Sequence, residues 1–109
     1  MAMDDIFVVM YRIIAYLYRC MKLGKEPLDN EWNATAMGVT EAYWNRIVWE
    51  LATRSYITGV NIIEADDALS VIIVRPRVTL EGVAFAQENS CMGRAKRFLT
   101  EIKAAVPFI

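Results

Sequence analysis

The sequence has no histidine among its 109 residues and only two cysteines. Histidine is the commonest general base and the commonest metal ligand in proteins, so its absence removes the usual routes to acid–base catalysis and to a zinc site. Cys20 and Cys91 lie far apart and form no paired motif. The sequence also contains no glycine-rich phosphate loop and no nucleophile elbow. We therefore expect a protein that is not an enzyme and that uses no cofactor and no metal.

An excess of one charge sign is also missing. Twelve lysines and arginines oppose 13 aspartates and glutamates, which gives a formal net charge of −1. Composition alone therefore predicts neither a general nucleic-acid binder nor a membrane-surface binder. Hydrophobic residues make up 56% of the chain, and in a domain this small an apolar surplus often covers a subunit interface. We expect a single domain over residues 1–109 that forms a homo-oligomer, such as a dimer, or binds a protein partner.

No hydrophobic run is long enough for a membrane helix. The most apolar stretch, residues 6–18, falls short of the roughly 20 residues that span a bilayer, and Arg12 interrupts it. No signal peptide is visible, and the two cysteines suggest no disulfide framework. We therefore expect a cytoplasmic protein with reduced thiols, no membrane association and no small-molecule substrate.

The rest of the chain is organised around residues 38–60, which read GVTEAYWNRIVWELATRSYITGV. Thr40 is a candidate N-cap, and Glu41 places negative charge in the first turn of the following helix. Apolar residues then recur three and four positions apart, at Tyr43, Trp44, Ile47, Val48 and Leu51. Apart from Gly59, residues 56–60 are β-branched or aromatic, as in a strand. A buried helix that leads directly into a strand is typical of a helix-turn-helix that continues into a hairpin wing.

The flanking segments complete an α+β fold, a winged helix-turn-helix with an additional C-terminal helix. The first helix carries two apolar stripes, one headed by Ile6 and one by Phe7, and the second stripe needs cover from a later helix or from a second subunit. Pro76 should close the second strand. The expected N-caps are Asp29 or Asn30 for the short second helix and Thr79 for the helix after the wing. The pattern predicts helices over residues 3–22, 29–37, 79–86 and 93–105, strands over 56–63 and 69–74, and a hairpin link over 64–68.

Four blocks of the sequence resemble one known family. GVTEAYWNRIVWEL, SYITGV, VTLEGVAFAQENS and AKRFLTEIKAAV are similar to successive blocks of the YjcQ family, small winged-helix proteins of Firmicutes and their prophages. The similarity runs from Met37 to the C-terminus and extends more loosely over the first helix. Ser55 departs from it where a glycine is expected, and Pro107 lies near a usually helical end. The resemblance implies a fold and a phage-linked origin, without a known activity.

The central helix is the recognition helix of such folds. Its outward face carries Glu41, Ala42, Asn45, Arg46, Trp49 and Thr53 at helical pitch. Asn45, Arg46, Trp49 and Thr53 form our candidate interaction face. Asn45 and Arg46 are candidates for reading base edges, whereas an outward tryptophan is typical of a protein-interface anchor. The alternative for Trp49 is that the first or last helix covers it.

The remaining charges divide between the hairpin link and the C-terminal segment. The link carries Glu64, Asp66 and Asp67 without a basic residue, which disfavours the phosphate contacts that a wing normally makes. Basic residues cluster later, and if DNA binds they are the candidate phosphate contacts: Arg94, Lys96, Arg97 and Lys103. A solvated helix face explains the same cluster without any ligand.

Two functions follow from these observations. The first is a non-enzymatic, prophage-like winged-helix interaction module that self-associates. The alternative is a DNA-binding transcriptional regulator that uses the helix at residues 40–54.

Overall fold

A computed structural model describes residues 5–66 and 68–89 of the chain. In order, they form helices α1 (Ile6–Leu23), α2 (Ala34–Met37) and α3 (Glu41–Thr53), strands β1 (Ile57–Ala65) and β2 (Ala68–Val78), and helix α4 (Leu80–Asn89). The α+β class and the winged helix-turn-helix arrangement are confirmed, and α4 is the helix that follows the wing. The helix predicted over residues 93–105 lies outside the described residues, with the four candidate phosphate contacts that it carries.

Short polar side chains and left-handed residues set the helix ends. Asp5 accepts a hydrogen bond from the Phe7 amide at 2.9 Å, and Gly24 ends α1 with a φ of 66°. The start of α2 differs from the prediction, which expected Asp29 or Asn30 as its cap. Asn33 caps it instead, because its side chain accepts from the Ala36 amide at 2.7 Å. The side-chain amide of Asn33 also donates to the Asp29 carbonyl, which fixes the turn before the helix.

The core lies between α1, α3 and the base of the hairpin. Trp32 and Trp44 meet edge to face with ring centroids 5.0 Å apart, and the Trp32 indole donates to the Ile13 carbonyl. An indole nitrogen satisfied in this way can be buried without a large desolvation cost. The fully buried side chains belong to α1, α3 and the first strand: Val9, Ile13, Ile14, Ile47, Val48, Leu51 and Ile57.

The second apolar stripe of α1 is covered largely by a later helix of the same chain. Ile14 is fully buried, and Tyr11 and Tyr18 are half-buried where α1 faces α4. Phe7 contacts Phe85 of α4 at 6.4 Å between ring centroids and stays 39% exposed. Within the described residues, this stripe therefore gives little support for a subunit interface on α1.

The loop between α1 and α2 is fastened through one tyrosine. The Tyr16 hydroxyl donates to Glu31 at 2.7 Å and accepts from the Leu28 amide at 3.0 Å. Burial raises the pKa of Tyr16 to about 12, and the hydrogen bond to Glu31 acts in the same direction. The hydroxyl therefore stays protonated, and remains a donor, at alkaline pH where an ordinary tyrosine ionises.

The hairpin is longer than the sequence predicted. Ala65 pairs with Ala68, so both strands extend into the predicted link over residues 64–68. Asp66 adopts a left-handed φ of 49°, which aspartate tolerates better than most residues. The expectation that Pro76 closes β2 is also wrong, because β2 continues to Val78.

Close backbone contacts hold the base of the hairpin. The register shifts between Thr58 and Val60, where β2 carries extra residues opposite Gly59. Gly59 has a φ of 81°, and a Cβ there would overlap the Arg75 carbonyl. This irregularity explains how Pro76 fits inside a strand, since proline is accommodated at bulges.

The base is joined to α4 through Thr79. Its hydroxyl lies 2.6 Å from the Ser55 carbonyl and 3.1 Å from the Tyr56 carbonyl, and it accepts from the Gly82 amide at 3.0 Å. Thr79 therefore caps α4, as predicted, and fixes the helix to the segment that leads into β1. Among the described residues, no helix is long and apolar enough to cross a membrane.

Candidate interaction site between helix α3 and the wing

The two faces of α3 are used differently. Thr40 caps the helix by accepting from the Tyr43 amide at 3.2 Å, and Trp44, Ile47, Val48 and Leu51 on the inner face are buried. On the outward face Glu41, Ala42, Arg46 and Thr53 are exposed, whereas Asn45 and Trp49 are half-buried. The helical pattern therefore assigned both faces correctly, but it could not show what partly covers Asn45 and Trp49.

The cover comes from the tip of the hairpin. The Asn45 side-chain amide donates to the Leu69 carbonyl of β2 at 3.1 Å, so the wing is tied to the outward face of α3. Between them lies a cleft of about 360 Å³, here called the α3–tip cleft, lined by Arg46, Trp49, Glu64, Ala65, Asp66, Ala68 and Leu69. Sequence reasoning missed this cleft because it joins residues 15–23 positions apart, and no local sequence pattern fixes how the hairpin is oriented against α3.

Arg46 lies over the ring of Trp49. Its guanidinium carbon is 4.8 Å from the ring centroid, a cation–π distance, and its Nη2 is 3.1 Å from the Glu50 carboxylate. Arg54, one turn further along, pairs with the same carboxylate at 3.3 Å. Glu50 is only 17% exposed, whereas the two arginines are about 60% exposed. The i, i+4 spacing of these three residues was the available sequence signal for this network.

Among the described residues around α3 and the tip, carboxylates outnumber basic side chains. Arg46 and Arg54 are opposed by four carboxylates, those of Glu41, Glu50, Glu64 and Asp66. Within the described part of the chain, no lysine or arginine lies within ion-pair distance of Glu64 or Asp66. The local field therefore attracts cations and repels polyanions.

Both residues proposed to read bases already have partners within the chain. The side-chain amide of Asn45 donates to the Leu69 carbonyl, and Arg46 is shared between Trp49 and Glu50. These contacts would compete with recognition of a base edge by the same two side chains. Thr53 lies exposed at the end of α3, apart from the cleft-lining residues.

The two arginines that flank Pro76 are also paired. Arg77 binds both carboxylate oxygens of Glu26 at 2.9 Å, and Arg75 lies 3.5 Å from the same group. The hydrogen bond from Arg77 holds the pKa of Glu26 below its usual value, and Arg75 adds to the effect. These arginines fasten the loop after α1 to β2, which reduces the charge they offer to phosphate.

The model of the YjcQ protein family matches residues 11–105. The chain belongs to this family. The matched range contains α2, α3, the hairpin and α4, so every residue that lines the α3–tip cleft falls inside it. No curated protein and no solved structure matches the chain.

Proposed function

We propose that this protein is a non-enzymatic, prophage-like winged-helix module that binds a protein partner at the α3–tip cleft and self-associates through the outer face of its hairpin. The observation that carries the proposal is the half-buried Trp49 in a cleft rimmed by carboxylates. Interface hot spots are commonly tryptophans in partly enclosed pockets. A DNA-binding surface needs basic residues that are free to meet phosphates, and here the arginines of α3 are paired with Glu50.

The outer face of the hairpin supports self-association. Ile63, Ile72 and Val74 are 46%, 49% and 67% exposed. In the pairing register, Ile72 lies opposite Asn61, Ile63 opposite Ser70, and Ala65 opposite Ala68. None of these outer pairs carries a charge, so two copies can meet face to face without repulsion between like charges. Exposed apolar surface of this kind is a common feature of interfaces.

Sedimentation velocity at micromolar concentration tests this part of the proposal. We expect a species heavier than the 12.4 kDa monomer, and Ile72→Ser should shift it toward the monomer. Leu80→Ser is the matched control, because Leu80 is 82% exposed but belongs to α4. A wild-type chain that stays monomeric at all accessible concentrations would refute self-association.

The alternative, a DNA-binding regulator that uses α3, is tested by a gel-shift assay over a salt series. We expect weak binding to random duplex that becomes measurable only at low salt. Replacing Glu64, Asp66 and Asp67 with lysine should strengthen it, because each removed carboxylate reduces repulsion of phosphate. Tight binding of the unmodified protein at physiological salt would favour the regulator instead.

The contribution of Trp49 is separated from folding by a pair of variants. Trp49→Ala should lower the free energy of unfolding by about 1–2 kcal/mol, since a half-buried ring loses fewer contacts than a core ring. Ile47→Ala should cost about 2–5 kcal/mol, because Ile47 is fully buried. A larger loss for Trp49→Ala than for Ile47→Ala would make Trp49 a core residue and remove the main support for a partner at this cleft.

A further inference from the structure

We propose that the α3–tip cleft receives a cationic side chain, an arginine or lysine of the protein partner, and that Arg46 occupies its place in the free protein. The inference rests on the proposed function and specifies the chemistry of its partner. Three features of the cleft carry it: an aromatic floor, rim carboxylates that form no ion pair within the described part of the chain, and an internal cation that can leave.

The aromatic floor already holds a cation. The guanidinium of Arg46 lies 4.8 Å from the centroid of Trp49, and tryptophan is the side chain whose ring face attracts cations most strongly. The same ring face would attract a guanidinium or ammonium group from a partner. At about 360 Å³ the cleft is near the lower end of ligand pockets, roughly 300–1,000 Å³, which suits one long side chain.

The rim has the matching charge. Glu64 and Asp66 line the cleft on the hairpin side, and no cation of residues 5–66 or 68–89 pairs with either carboxylate. A cation that enters the cleft would therefore meet two carboxylates with which Arg46 forms no ion pair. A phosphate or an acidic peptide would meet the opposite field.

Arg46 can move away from Trp49 without leaving the Glu50 carboxylate unpaired. It is 63% exposed, so its guanidinium can return to solvent at small cost. Its ionic partner Glu50 stays paired with Arg54 at 3.3 Å. The network around Glu50 thus lets Arg46 exchange with an incoming cation while the partly buried carboxylate remains satisfied.

Calorimetric titration with a blocked Gly-Arg-Gly-Arg-Gly peptide tests the proposal, with the glutamate counterpart as the control peptide. We expect the arginine peptide to bind, more weakly as salt rises, and the glutamate peptide not to bind. The double variant Glu64→Gln, Asp66→Asn should weaken binding by on the order of tenfold, as the loss of charge pairs does in other interfaces. Both side chains are exposed, so this variant should fold normally.

The decisive comparison is between Arg46→Ala and Arg54→Ala. Each removes one positive charge paired with Glu50, but only the first uncovers Trp49. Arg46→Ala should tighten the arginine peptide by on the order of tenfold, and Arg54→Ala by no more than about threefold. Equal effects would mean that only net charge matters and would overturn the displacement of Arg46.

The remaining outcomes also decide the matter. No binding of the arginine peptide, or equal binding of the glutamate peptide, would refute the cationic ligand while self-association through Ile72 could still stand. If Trp49→Ala abolishes self-association, the occupant is a second copy of this chain, and the separate partner is wrong. Tight DNA binding at physiological salt would refute the proposed function independently of either peptide.

Discussion

The base and the outer half of the hairpin belong to the same two strands but are held in different ways. At the base, Ile57 is 1% exposed and Gly59 lies against the Arg75 carbonyl. In the outer half, Ile63 is 46% exposed and Ile72 49% exposed, and Asn45 supplies a side-chain bond to the Leu69 carbonyl. The base is held by burial of Ile57 and by the close approach of Gly59 to the β2 backbone. The outer half is held mainly by regular pairing between the two strands.

This difference separates residues that maintain the fold from residues available for binding. A substitution of Ile57 disturbs the core, and a side chain on Gly59 disturbs the β2 backbone, because neither position has free space around it. A substitution on the outer face changes a surface while the ladder beneath it persists. The proposed contacts for self-association and for a partner therefore lie where the chain can change them at little cost in stability.

The largest effect should come from Gly59→Ala. The new methyl group would overlap the Arg75 carbonyl, and alanine disfavours the φ of 81°. We expect a loss of about 3–5 kcal/mol in the free energy of unfolding, measured by urea titration. Gly24→Ala is the control, because Gly24 shares the left-handed conformation but has open space around it, and it should cost only about 1–2 kcal/mol. Equal losses would show that φ, rather than crowding at the base, governs Gly59.

A second pair compares the two halves directly. Ile57→Ala should cost about 2–4 kcal/mol, because it leaves a cavity in the core. Ile72→Ala should cost less than about 1 kcal/mol, because half of its side chain already faces solvent. Thermal melts at a concentration where both variants are monomeric check this contrast. Similar losses would mean that the outer half is as tightly integrated into the fold as the base.

Ser55→Gly should stabilise the protein. Ser55 ends α3 with a φ of 62°, and its amide and that of Tyr56 bond back to the Ala52 and Leu51 carbonyls. Relief of the left-handed strain is worth about 1–2 kcal/mol, and the added freedom of glycine in the unfolded chain offsets part of it. We expect a net gain of about 0.5–1 kcal/mol by urea titration. A loss of stability would show that the serine side chain makes a compensating contact.

The smallest effect concerns acid stability. Because Arg77 holds the pKa of Glu26 below its ordinary value, the charged carboxylate favours the folded state. That contribution is present above the ordinary pKa near 4.5 and is lost as pH falls through the lowered one. Melting temperatures over an acid series should decline less steeply for Glu26→Gln. Glu64→Gln at the tip should leave the decline unchanged, since no described cation pairs with Glu64.

Local features of the fold were readable from the sequence because each depends on few neighbours. Thr40 and Thr79 cap helices as predicted, and the spacing in residues 41–53 identified the buried face of α3. Ser55 was recognised as standing where glycine is expected, and its left-handed backbone gives the physical reason. The resemblance to the YjcQ family was confirmed by the match over residues 11–105.

The features that were missed depend on contacts between distant segments. Proline normally ends a central strand, but the bulge opposite Gly59 accommodates Pro76 within β2. Acidic residues indicate loops, so the strand residue Glu64 was assigned to the hairpin link. The position of the tip beside Trp49 depends on the orientation of the whole wing, which hydrophobic periodicity does not encode. The interaction face of α3 therefore stays a prediction. The structure adds the contacts that Asn45 and Arg46 make within the chain, which variants can test.

The closure of the hairpin by Thr79 has a consequence for engineering and for variation among relatives. Because Thr79 bonds to the carbonyls of Ser55 and Tyr56, the chain leaves the body and returns to it at nearly the same point. Equal numbers of residues added to each strand beyond the Glu64–Leu69 pair would leave both the closure at Thr79 and the bond from Asn45 to Leu69 in place. An extension of two residues per strand preserves the inward and outward faces, whereas one residue per strand reverses them beyond the insertion. The length of the wing can therefore change while the helices that carry it keep their positions.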